Sequence, residues 1–103
     1  MSKIHEKASE LIIQNVGRRG DTKLLQRAKQ ICSSDKIIRR YITRKGHCLA
    51  EFSGSNGERY TVWAYTSGRV YCDCRFFSNL DPFDRQSWGC KHILAHSIRL
   101  VAA

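Results

Sequence analysis

Proline is almost missing from this chain: Pro82 is the only one in 103 residues. No low-complexity tract or internal repeat divides the sequence. Acidic residues are also scarce, nine against eighteen Lys and Arg, which leaves a net charge of +9. No apolar run approaches the roughly 20 residues that a bilayer-spanning helix needs, so no membrane contact is expected. Residues 1–7 lack the apolar stretch of a secretory signal. The expected location is therefore intracellular, cytoplasmic or, in a eukaryote, nuclear. No Ser/His/Asp set, phosphate-cradling loop or paired-carboxylate arrangement stands out, so catalysis is not expected. The cysteines number five, Cys32, Cys48, Cys72, Cys74 and Cys90. An odd count argues against a disulfide framework.

What is present points to one domain over residues 1–103, with a basic helical part (1–46) and a second part (47–103) that holds four of the five cysteines. The charge is concentrated in the first part, where twelve Lys and Arg face four acids. Such a surface suits a polyanion, through phosphate contacts and counterion release. The candidate contacts are Arg18, Arg19, Lys23, Arg27, Arg39, Arg40, Arg44 and Lys45.

Hydrophobic spacing predicts a helix over residues 3–16, on Ile4, Ala8, Leu11 and Ile12, broken at Gly17 and Gly20. A second helix over 22–32 follows, capped by Asp21, with Leu24, Leu25, Ala28, Ile31 and Cys32 as its buried stripe. A helix–turn–helix reading, with Lys23, Arg27 and Lys29 towards DNA, is less favoured than two helices covering a sheet. Strands are expected at 37–42, 47–52, 59–65 and 69–72, as a meander of three or four. In the second of these, Cys48, Ala50 and Phe52 share one face, and His47, Leu49 and Glu51 the other. Residues 75–89 show no periodicity and read as a loop, although Phe76, Phe77, Leu80, Phe83 and Trp88 require some inward packing. A last helix spans 91–101. The fold class is α+β: a helical hairpin, a small antiparallel meander and a C-terminal helix.

Cys72 and Cys74 are separated by one residue, as are Cys90 and His92, with fifteen residues between the pairs. On a strand, positions i and i+2 point to one side, so the first two sulfurs aim at one point. Gly89 permits a sharp approach to the last helix, whose cap carries Cys90 and whose first turn carries His92. Two local pairs make a filled Cys3His shell, which suits structural zinc and leaves no position for water or substrate. A redox pair at Cys72 and Cys74 would leave Cys90 and His92 unexplained. His96 lies one turn beyond His92; a packing or outer-shell role is favoured over ligation. Cys32 and Cys48 read as small core residues, and His5 and His47 as surface or satisfied polar groups.

These residues resemble the SWIM zinc-finger family, whose signature is Cys-x-Cys followed after a variable gap by Cys-x-His. The similarity spans residues 59–100: Tyr60-Thr61-Val62 and Gly68-Arg69-Val70-Tyr71 look like the leading strands. Cys72-Asp73-Cys74 and Cys90-Lys91-His92 look like the two ligand pairs. The resemblance implies a ββα core around Zn2+ and a module that binds DNA or proteins. Such modules occur in transposases, chromatin-remodelling ATPases, signalling kinases and recombination accessory proteins. The expected role is thus a nucleic-acid-binding module, DNA first, of low sequence specificity. The alternative is an adaptor or inhibitor meeting an acidic protein surface in recombination, transposition or phage–host interference.

Overall fold

The computed structural model describes residues 3–54 and 56–102. Helix α1 (Lys3–Arg19) runs one turn past the expected break. Gly17 is helical, and the reversal is made by Gly20 at φ +67°. A left-handed glycine just past a helix is the usual C-terminal stop, whereas a helical glycine costs only about 1 kcal/mol. Val16, buried at that end, favours the extra turn. Asp21 then caps α2 (Thr22–Ser33), its carboxylate accepting the Leu24 N–H at 3.1 Å. Leu24, Ala28 and Ile31 form the buried stripe, with Leu25 and Cys32 half-buried beside it.

Four strands follow in meander order: β1 (Ile37–Ile42), β2 (Cys48–Ser53), β3 (Arg59–Ala64) and β4 (Val70–Cys72), each antiparallel to the next. The β1–β2 and β3–β4 turns carry Gly46 and Gly68 at positive φ. One sheet face packs on helices through Ala50, Phe52, Val62 and Cys72. On the other, the register aligns Tyr41, Leu49, Trp63 and Tyr71 in a row across all four strands. Leu49 is therefore buried, although its parity puts it on the outer face: aromatic neighbours flank it on both sides.

Residues 75–89 are not a plain loop. They hold two short helices, α3 (Arg75–Ser78) and α4 (Pro82–Ser87). The Asp81 carboxylate accepts the Asp84 N–H at 2.9 Å, and Pro82 occupies the first turn, where its missing N–H costs nothing. Four- and six-residue helices are too short to show a period in the sequence. Phe77 and Trp88 pack inward, and Phe76 and Phe83 face out. The last helix, α5 (Lys91–Ala102), lies against both α1 and α2, which meet each other far less. The N-terminal pair is thus a hairpin splayed around α5. One core joins both halves of the chain, from Ile12 and Val16 through Phe52 and Val62 to Ile93 and Leu94. No helix among the described residues is long and apolar enough to cross a membrane.

Candidate metal centre

Strand β4 ends at Cys72, and one more extended residue brings Cys74 to the same side. Cys74 is also the N-cap of α3, its sulfur accepting the Phe77 N–H at 3.4 Å. From the other direction, Trp88 ends α4 and Gly89 turns the chain at φ +63°. A side chain at Gly89 would meet Ile93 at 3.0 Å, so both the backbone angle and the space require glycine. Cys90 precedes α5, its carbonyl accepting the Leu94 N–H at 3.0 Å. His92 sits in the first turn, where its ring packs against Phe52 and Tyr60 at centroid distances of 5.2 and 5.0 Å.

The four side chains converge. The His92 Nδ1 lies 3.9 Å from the sulfurs of both Cys72 and Cys90. All four ligand atoms fall within 4.8 Å of one another, and all four residues are buried. A tetrahedral zinc shell with bonds of about 2.0–2.3 Å has edges of roughly 3.4–3.8 Å, so small side-chain adjustments close the shell. The electrostatics favour a cation. Hydrogen bonds from Cys72 and Cys90, with the Phe77 N–H, hold the Cys74 thiol far below its ordinary pKa. The Cys72 thiol is pushed far up by its hydrogen bonds to Cys74 and Cys90 and by burial. Thiolates packed this closely repel one another, and a positive ion between them relieves that repulsion. These residues form a buried Cys3His group able to bind a metal ion.

His96 does not join this group. Its Nε2 reaches the Cys48 carbonyl at 3.4 Å, and its Nδ1 is buried without a partner. Cys48 is buried and Cys32 half-buried, both outside the cluster, as expected of core residues. His47 accepts the Thr66 N–H at 3.1 Å. His5 is buried, with Nε2 at 2.7 Å from the Gly46 carbonyl. The Asp73 carboxylate, exposed, accepts the Thr61 N–H at 2.8 Å.

The eight basic candidates are all exposed, spread over the end of α1 (Arg18, Arg19), α2 (Lys23, Arg27), β1 (Arg39, Arg40) and the β1–β2 turn (Arg44, Lys45). Two are engaged within the protein. Arg19 stacks on Trp88 at 4.0 Å and approaches Asp21. Arg39 pairs with Glu51 and covers Tyr41. Three cations outside the candidate set, Lys36, Arg75 and Lys91, line a cleft with Arg27 and with Cys74, Cys90 and His92 of the cluster. They are distant in sequence and form no charge run; the only local signal was that Arg75 and Lys91 each follow a ligand cysteine.

The site defines a small α+β protein with a buried Cys3His group. Comparison with protein-family models, curated proteins and solved structures finds no match to the chain.

Proposed function

We propose that this is a SWIM-like zinc module that binds nucleic acid, DNA first, through its cationic surface and with little sequence specificity. Zinc is the favoured ion because three thiolates and an imidazole form a soft, closed tetrahedral shell. With all four positions filled by protein, the ion has a structural rather than catalytic role. It would fix the end of β4 to the start of α5.

The observation that carries the nucleic-acid reading is the charge. The first 46 residues hold twelve of the eighteen Lys and Arg, and all eight candidate contacts are exposed. Arg18, Lys23, Arg27, Arg40, Arg44 and Lys45 are in none of the ion pairs found among the described residues. Trp63 and Tyr71 pack on each other at 5.4 Å, and Tyr65 packs on His47, so these aromatics support the sheet before any base. Contacts of this kind grip the backbone and carry no sequence information.

Binding to duplex and single strands should be measured by fluorescence anisotropy across a salt series. With about six phosphate contacts, affinity is expected to fall on the order of 1,000-fold between 50 and 200 mM salt. Scrambled sequences of equal length should bind alike. Absence of binding at low salt, or binding indifferent to salt, would refute the reading and favour the acidic-protein adaptor.

A further inference from the structure

The structure assigns the cleft beside the metal-ligand cluster to an unpaired nucleotide stretch: we propose that it is a single-strand-binding groove. This rests on the nucleic-acid reading above and locates it. The cleft has a volume of about 490 Å3; Leu24, Ile31 and Phe52 line it, and Cys74, Cys90 and His92 of the cluster form part of its wall. Four cations line it: Arg27 from α2, Lys36 from the α2–β1 turn, Arg75 from α3 and Lys91 from α5. All four are exposed. No carboxylate is among the described residues lining it.

Charge complementarity therefore fixes the partner as an anion, and the apolar floor requires more than a bare phosphate. Two aromatic side chains supply the second contact. Phe76 is 53% exposed at the lining of the cleft, although large apolar side chains usually turn inward. Tyr60 is half-buried there, with its ring against His92. A base laid on Phe76 with its phosphates among Arg27, Lys36, Arg75 and Lys91 satisfies both features. Stacking platforms set in a cationic groove are how proteins hold single strands without reading sequence. A cleft of this volume is on the scale of small-ligand sites, roughly 300–1,000 Å3. That volume suits a single unpaired base.

The arrangement also gives the metal a function. Arg75 follows Cys74 and Lys91 follows Cys90, so the ion that ties the two cysteines together fixes the spacing of two groove cations. The groove combines one cation-bearing helix of the N-terminal part with two elements of the zinc-binding part, which neither part supplies alone.

The test is anisotropy with a fluorescein-labelled oligothymidylate and with a duplex containing the same strand. The proteins would be wild type, Arg27→Glu, Lys36→Glu, Phe76→Ala and the reversal Lys7→Glu outside the cleft, each checked for zinc content. Wild type is expected to bind the single strand more tightly than the duplex. Arg27→Glu and Lys36→Glu should each weaken single-strand binding about tenfold and flatten the salt slope by roughly 0.7 or more. Phe76→Ala should weaken it about tenfold with the slope unchanged. Lys7→Glu should alter it by less than either groove reversal. If wild type binds nucleic acid but the groove variants bind the single strand as wild type does, or if the duplex is preferred, the groove is wrong and the general reading stands. If wild type binds neither strand at low salt, both fall.

Discussion

Cys90→Ser is expected to abolish stoichiometric zinc binding and to lower the melting temperature by about 15 °C. Cys90 sits between the Gly89 turn and α5, with its sulfur 3.9 Å from the His92 Nδ1. A serine hydroxyl there is a poor zinc ligand and leaves the Cys72 and Cys74 sulfurs packed without a cation. Structural zinc contributes on the order of 10–16 kcal/mol of apparent binding free energy at neutral pH. Forfeiting even about 3 kcal/mol shifts the transition of a domain this size by roughly 12–24 °C. The loss should be regional. Ile12, Val16, Leu24, Ala28 and Ile31 share one core with the ligand cysteines, but α1 and α2 meet α5 through apolar side chains that need no metal. Chelation should therefore leave much of the far-ultraviolet helical signal while loosening the β4–α3 segment. Calorimetry with metal analysis checks this, with Cys32→Ser as the control: that thiol lies outside the cluster, so zinc should stay. Unchanged stability in a zinc-free Cys90→Ser protein would show that the site is not structural.

Acid should destabilise the protein through His96, by roughly 3 kcal/mol for the one imidazole. Burial pushes the His96 pKa down from 6.5 to about 4, a fall only partly opposed by its hydrogen bond to the Cys48 carbonyl, with Arg40 and His5 adding to the depression. The unfolded chain therefore holds a proton on this residue between pH 6.5 and 4 that the folded chain does not. Stability from the buried neutral ring is complete above pH 6.5 and is lost as pH falls through about 4. Acid acts on more than one group, so the informative quantity is a difference. His96→Gln keeps a side-chain N–H for the Cys48 carbonyl and cannot titrate. Denaturant unfolding of both proteins should give stability curves that diverge by up to about 1.4 kcal/mol per pH unit below pH 6.5. Parallel curves would show that His96 is not held neutral by its surroundings.

The metal ligands were legible because each pair is local. Period-two geometry aims Cys72 and Cys74, and a helix start aims Cys90 and His92; neither needs knowledge of the rest of the fold. The strands were legible from alternation and turn residues, and α2 from Asp21 and its apolar stripe. The chain between the ligand pairs was not, because α3 is capped by a cysteine sulfur, which is not a usual capping group. The Asp81-Pro82 start of α4 carried a usable signal that the missing periodicity concealed. The depth of Leu49 and His5 depends on neighbours brought by sheet register and by the β1–β2 turn. The cleft was the least legible feature. Its cations come from α2, the turn before β1, α3 and α5, and only the folded chain puts them side by side.

Cys72, Cys74, Cys90 and His92 are expected to close around one ion. Zinc K-edge X-ray absorption on the purified protein, with metal counted per chain, is the decisive measurement. The expected result is one zinc with three sulfurs at about 2.3 Å and one nitrogen at about 2.0 Å. Substoichiometric zinc that cannot be raised by added metal, or a shell dominated by oxygen and nitrogen, would contradict it.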